Sequence, residues 1–528
     1  MKNNKKITTK LLIATMLFLS ANLNSATHTV TNGNDAGAGS LRQAVFDANS
    51  GDTIIFASNV STVSLTSGQI TIDKSLAING GSDTNQKITI DGNNNSRIFY
   101  VDMGCELSIS NLILTGAYCN ILGGVSGGAV GVDAYGAFIA NNCEFSNNTA
   151  WFGGAVDVFF GAIFTAINCI FSNNGALEGG AVRVYTGGDF TANNCVFINN
   201  VATNNGGAVF LLGCISFTAT NCIFTNNTAT TEGGAVGGGL GAIFIANNCI
   251  FTNNNTTTWM GGAVSIHHGS IFIAINSTFF NNTAESYVIY ADNGMYLYHC
   301  TIDKNKTKSG EMIHGSFGGL YEYAYGYNNI ITGNTVADTL NQIKGTLLGG
   351  VNLIEGENGV IRYSVFGNNT LTDSGYIMPL EYAKTAPRLT AFDIEVPWWI
   401  ISADSIITWL YKDQREKVRP DSGFVTFGAV EYDESSIKEL IRLLLTVNIF
   451  PNPTSNYFTV NFELEKASNM EIILFDVLGK EIENVYNDFA EVGFFTKTIN
   501  TEHLNKGVYF IKILIDGKYA TLEKIVVN

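Results

Sequence analysis

The chain has 528 residues and a net charge of −16, with only 14% of its residues charged. Residues 121–290 hold one Arg, no Lys and seven carboxylates, so the basic footprint that nucleic-acid binding requires is missing. Low charge with abundant Asn, Thr and Gly fits a neutral polar shell around an apolar core.

In chain order, Lys2, Lys5, Lys6 and Lys10 precede an apolar run from Leu11 to Leu19 and small residues around Ser25-Ala26. This is the pattern of a secretory signal peptide over residues 1–26. The run is too short to span a bilayer as a mature helix, and no Cys beside the cut supplies a lipid anchor. No other stretch is long and apolar enough to cross a membrane, so the expected mature chain is exported without a transmembrane segment. Residues 39–56 (GSLRQAVFDANSGDTIIF) open with Ser40 as a helix cap, followed by Leu41, Ala44, Val45 and Ala48 on one face. A solenoid exposes strand edges at its end, and this short helix is expected to plug it.

The clear repeats cover residues 127–285. A block F-x-A-x-N-C-x-F recurs six times at steps of 26 to 28 residues, each copy led by Gly-Gly-Ala-Val. The leaders start at Gly127, Gly153, Gly179, Gly206, Gly233 and Gly261. Fixed and free positions alternate with period two, so each copy reads as three short strands (V-x-V, F-x-A and C-x-F) with one buried face. The single Asn between the last two strands tolerates the left-handed backbone of a sharp bend. The Asn-Asn pairs (Asn147-Asn148 and equivalents) and the Gly-Gly pairs are expected at the other corners. Weaker copies flank the six: Leu107 to Leu114 before them, Met295 to Ile302 and Ala324 to Ile331 after them.

Three strands per copy, each lying beside its equivalent in the next, predict an all-β fold: a right-handed three-sided parallel β-helix with an N-terminal helical cap. Propeller blades need about 40 residues or more, too many for these copies. Cys143, Cys169, Cys195, Cys222 and Cys249 fall at one inward position and read as a buried column of thiols, because in-register side chains are poorly placed for disulfides. Cys105, Cys119, Cys214 and Cys300 are placed off that column.

Residues 360–435 lose the period and gain Trp398, Trp399, Trp409, Arg415 and Arg419, and are expected to form an irregular C-terminal cap on a β-helix spanning 27–435. Residues 436–446 read as a linker. From 447 to 528, short alternating strands separated by PNP, LGK, NKG and DGK turns describe a small C-terminal β-sandwich.

Three segments resemble known families. The Gly-Gly-Ala-Val/Asn-Cys repeats are similar to β-helix proteins of the polymorphic outer-membrane-protein type, within the pectate-lyase-like superfamily. GSLRQAV…GDTIIF is similar to the N-terminal cap of those chains. DQREKVRP…FGAVE resembles the ending of the choice-of-anchor Q family, with Glu416 in place of a Gly and Val430 in place of an aromatic residue. The last 80 or so residues resemble the type A C-terminal sorting domain of the type IX secretion system. That resemblance rests on Pro451-Asn452-Pro453, on Phe475 to Lys480 with Gly479 and Lys480, on Gly507 to Phe510 with Tyr509, and on Glu523 to Val527. It implies the type IX machinery as a partner and delivery to the exterior or outer cell surface of a Gram-negative bacterium.

Enzymes on similar β-helices would need clustered carboxylates, to hold calcium in lyases or to act as an acid pair in hydrolases. The outward residue of V-x-V runs Gly131, Asp157, Arg183, Phe210, Gly237 and Ser265. Asp157 and Arg183 are thus neighbours and are expected to form a surface ion pair. Asp133 stands one position beyond V-x-V and need not join that row. Glu178 and Glu232 precede corners two coils apart, too far to share an ion. His267 and His268 are read as exposed loop residues without a nearby carboxylate cluster. No catalytic residue, metal ligand or cofactor site is assigned. The reading favoured is an adhesin that binds surface glycans or extracellular proteins, with Tyr135, Phe159, Phe160 and Tyr185 either displayed or packed under their loops. A polysaccharide lyase or glycoside hydrolase, and a structural surface protein without a specific ligand, are the alternatives.

Overall fold

The computed structural model describes residues 25–81, 87–120 and 124–309, most of 312–364, the short pairs 386–387 and 424–425, and most of 447–527. The leader up to Asn24, the capping stretch with its Trp and Arg residues, the 436–446 linker and Gly479-Lys480 lie outside the described residues. The chain forms two compact units, Met1–Ala429 and Val430–Asn528.

The first unit is a parallel β-solenoid. Val130–Val132 pairs with Val156–Val158 and that strand with Val182–Tyr185, each Val beside its equivalent one coil on. Ala137–Asn141 and its successors form the second ladder and Glu144–Ser146 the third, a 13-stranded sheet among the described residues. Near its end the third ladder turns antiparallel, Asn352–Glu355 against Ile361–Ser364.

In-register stacking sets like on like inside the coil. Phe138, Phe164, Phe190, Phe217, Phe244 and Phe272 stack with ring centroids 4.6–5.1 Å apart, and Phe145, Phe171, Phe197, Phe224, Phe251 and Phe279 at 4.7–4.8 Å. The two columns meet edge to face within each coil, for example Phe164 with Phe171 at 6.2 Å. All are fully buried, so each contributes about 1.5–3 kcal/mol by transfer alone.

The bend Asn residues (Asn142, Asn168, Asn194, Asn221, Asn248, Asn276) hold φ of 48–58°, and His299 takes the same corner at 52°. The thiols follow these bends: Cys169 Sγ lies 3.4 Å from Ala140 O and 3.2 Å from Ile167 O, and the same pair of contacts recurs up the column. Cys300 joins this column rather than standing off it, with Sγ 3.5 Å from Ala274 O and from Tyr298 O. Burial pushes the Cys300 thiol up to about 12, and Cys214 likewise. In the sixth copy Ser277 takes the position and donates to Ile275 O at 2.8 Å.

A fourth ladder was not expected. Tyr118–Cys119, Thr149–Ala150, Gly175–Glu178, Val201–Asn205 and their successors make a 10-stranded sheet of very short strands. Most of them are two residues long, too short to display a period of two, and the sequence pattern hides them. Just before them the second Asn of each pair is fully buried rather than a simple corner. Asn200 Nδ2 donates to Phe171 O at 2.9 Å and to Asn227 Oδ1 at 3.0 Å, and its N–H reaches the same Oδ1 at 3.1 Å. The series Asn148, Asn174, Asn200, Asn227, Asn254, Asn282, Asn305 and Asn334 repeats this arrangement.

At the N-terminal end the helix Leu41–Asp47 is capped by Ser40, whose side chain accepts from Gln43 N, and it buries Leu41, Ala44 and Val45 on the solenoid core. Thr27–Val30 pairs with Thr53–Phe56 and extends the second ladder beneath it.

The second unit is antiparallel. Asn448–Phe450, Tyr457–Leu464 and Gly493–Asn500 form one sheet; Glu481–Ala490, Ser468–Asp476, Gly507–Ile515 and Lys518–Val527 form another. Phe458, Val460, Phe462, Met470, Ile472, Ile511 and Ile513 fill their shared core.

Candidate functional site

The outward side of the V-x-V ladder carries the ionisable residues that the sequence singles out. Register places Tyr100, Gly131, Asp157, Arg183, Phe210, Gly237, Ser265 and Tyr290 in one column. Two residues further along each strand stand Asp133, Phe159, Tyr185, Leu212, Gly239 and His267.

From Gly131 to Ser265 the first column is not solvent-exposed, because each Gly-Gly corner folds back across it. A Cβ on Gly153 would lie 2.1 Å from Val156 O and 3.0 Å from Asp157 N, and its φ is 57°, so only glycine fits. Asp157 and Arg183 are therefore 0% and 4% exposed, a buried pair and not the surface pair expected from the sequence. Arg183 Nε meets Asp157 Oδ1 at 2.7 Å and Nη2 meets Oδ2 at 2.9 Å, while Ser126 N–H donates to Oδ2 at 2.7 Å. The guanidinium also lies over Phe152 at 3.9 Å and over Tyr185 at 5.1 Å. Burial raises the Glu178 carboxyl above its ordinary value, opposed by the charge of Arg183 and reinforced by that of Asp157.

Asp133 is drawn in as well. Its carboxylate accepts the Tyr100 hydroxyl at 2.5 Å and the Ala134 N–H at 2.7 Å. Burial, then the bond to Asp133, pushes the Tyr100 phenol up to about 12.

Glu178 and Glu232 lie on one ladder with Asn205 between them, as their spacing requires. Glu232 is buried and meets His267 Nε2 at 2.5 Å, so His267 is not a free loop residue. The His268 ring stands edge-on to it at 4.3 Å, and the His268 and Gly269 N–H groups donate to Asp292 at 2.6 and 3.0 Å. Two carboxylates thus flank the histidines, where the sequence suggested none. The overlooked signal is the run Gly237-Gly238-Gly239, which follows Val236 and puts Gly238 where the second Val of V-x-V stands in other copies. A Cβ on Gly239 would lie 3.1 Å from the His267 ring, so the missing side chain makes room for the ring to reach Glu232. Among the described residues, no group of three or more His, Cys, Asp or Glu side chains is placed to hold a metal.

Where the first column is covered, the turn after V-x-V is open. Tyr135 is 66% exposed and Phe160 46%, with rings 6.5 Å apart, edge to face. Phe159 and Tyr185 are half-buried and stack at 5.2 Å with planes 5° apart.

In the second unit, the residues Pro451, Asn452, Pro453, Gly507 and Tyr509 gather around the last strand. Asn452 Oδ1 accepts Val526 N–H at 2.9 Å and Thr454 N–H donates to Val526 O at 2.8 Å. Gly507 and Tyr509 face Val527 and Ile525 across the ladder, and the Tyr509 hydroxyl donates to Asn505 O at 2.9 Å. Turn and closing strand, 74 residues apart, form one end of the sheet.

Residues 448–528 match the family described as a secretion system C-terminal sorting domain. No curated protein matches the chain. The sorting tail implies export to the exterior or cell surface through the type IX secretion system, which the tail engages. No helix among the described residues is long and apolar enough to cross a membrane.

Proposed function

We propose that the solenoid is a binding surface: the chain is an adhesin for glycans or extracellular proteins, made with a cleavable signal peptide over residues 1–26. On this reading the repeats are of the polymorphic outer-membrane-protein and choice-of-anchor Q type. The observation that carries it is the division of the outer face into closed and open parts. Asp157, Arg183, Asp133 and Glu232 are each engaged by a neighbouring side chain. The large apolar side chains turned to solvent along the same coils include the rings of Tyr135, Trp151, Phe160 and Trp259 beside aliphatic Ile163, Ile215 and Leu240. Charges already engaged by neighbouring side chains, with Asp157, Arg183 and Glu232 buried, are poor general acids or calcium ligands, whereas exposed rings beside them suit contact with a surface.

The Glu232–His267 pair supports a second reading, a polysaccharide lyase or glycoside hydrolase, since a carboxylate-bound imidazole is a competent base. One assay separates the two. The exported protein is mixed with insoluble cell-surface material and with soluble polysaccharides, and both sedimentation and new chain ends are followed. Co-sedimentation without product is expected. Depolymerisation that disappears in His267→Ala contradicts the adhesin reading.

A further inference from the structure

The open turn beside the closed column has a backbone that is out of keeping with its side chain. Tyr135 holds φ of 58°, in the left-handed region, at the place where the next two coils carry Gly161 (φ 70°) and Gly187 (φ 74°). The turn is the same in all three coils, closed by Gly136 N–H to Asp133 O, Ala162 N–H to Phe159 O and Gly188 N–H to Tyr185 O, each 2.9 Å. A bulky residue there is strained by about 1–2 kcal/mol relative to glycine. Folding does not require it, since the neighbouring coils use the cheaper residue.

The strain places one ring. A Cβ on Gly161 would lie 2.9 Å from Tyr135 Cε1 and 3.0 Å from its Cδ1. The Tyr135 ring therefore rests on the bare backbone of the next coil, with Phe160 edge-on beside it and most of its surface open to water. An aromatic face laid on the surface stacks on the apolar C–H face of a sugar ring, while nearby acceptors take the hydroxyls. The half-exposed Thr165 lies on the strand one coil along, and Thr191 shares the next strand with Asp189, whose Oδ1 accepts Ser216 Oγ at 3.0 Å.

Charge selects among saccharides. Arg183 is the one Lys or Arg in residues 121–290, and Asp157 holds it in a bidentate pair. Arg97, one coil before Tyr135, is 3% exposed. Along residues 121–290 a uronate or sulfated chain would meet carboxylates with no accessible cation to offset its own charge.

We propose that Tyr135, seated on Gly161 and flanked by Phe160, is a stacking site for a neutral saccharide chain. This rests on the binding reading and names its ligand class. The test is affinity electrophoresis of the full chain in gels containing dextran, a soluble β-glucan or galactomannan, with polygalacturonate as the acidic arm. A neutral polymer retards the wild type, and Tyr135→Gly weakens this about tenfold or more while Tyr135→Phe keeps it. Tyr135→Gly relieves the backbone strain, so its melting temperature stays level or rises and lost binding is not lost folding. Unchanged retardation in Tyr135→Gly overturns the site. Retardation by polygalacturonate alone overturns the ligand class and leaves the binding reading standing. Retardation by no polymer overturns the saccharide site, and the co-sedimentation assay then decides the binding reading separately.

Discussion

Asn147 and Asn148 are adjacent and identical, yet they are used for different things. Asn147 turns a corner with φ of 57°, whereas Asn148 is wholly buried and feeds a hydrogen-bonded ladder through eight coils to Asn334. The left-handed role is legible in sequence, because few residues other than Gly and Asn tolerate that backbone. The buried role is not, since alternation marks apolar positions and a primary amide gives no such mark. The same limit hid the Asp157–Arg183 burial: adjacency followed from register, but cover came from glycine corners whose path the pattern does not contain. The ladder has a measurable worth. Asn200→Ala removes the partners of Phe171 O and of the Asn174 N–H and side-chain amide. The Asn174 side-chain amide keeps Phe145 O, so two buried groups are left unpaired; at about 1–3 kcal/mol each, a loss of about 2–6 kcal/mol is expected, read as a lowered urea midpoint or as faster hydrogen exchange in coils on either side. A shift under about 0.5 kcal/mol contradicts the ladder's structural role.

At the scale of the element, the coil is one unit copied, and its three longer ladders were readable because Phe, Ala, Cys and Val recur at fixed positions. The short fourth ladder and the Gly237–Gly239 notch were not, one lacking length and the other visible only as a departure from the copy. The N-terminal cap has its own chemistry. Asp52 accepts N–H groups from Asn49 and Ala26, both at 2.8 Å, and His28 Nε2 at 2.9 Å. These bonds, the Asn49 N–H foremost, hold its carboxyl down from the ordinary 3.8 to about 2. A carboxyl lowered on folding stabilises the cap fully above about pH 4, and that contribution fades as pH falls toward about 2. Hydrogen exchange of Thr27–Val30 and Asn49–Thr53 should therefore accelerate between pH 4 and 2, ahead of the central coils. Asp52→Asn should expose the same segments already at pH 7. Equal acid response in cap and centre contradicts this assignment.

Over the whole molecule the labour is divided. The solenoid buries its repeats, keeps Asp157, Arg183 and Glu232 paired and covered, and shows open rings to water; the sandwich brings Asn452, Gly507, Tyr509 and the closing strand together at one sheet end. The sandwich was legible because its turns carry Pro and Gly in a fixed order up to Val527, and the solenoid because it repeats. On the proposed reading the ligand was not legible, because recognition then rests on residues that differ between copies, such as Tyr135 where the next two coils have glycine. The most direct measurement of this division is deletion of residues 448–528 in the native host, followed by surface labelling and fractionation of the remaining chain. The account predicts a folded, protease-resistant solenoid trapped in the periplasm with surface signal lost. A truncated chain that still reaches the cell surface or the medium would contradict it.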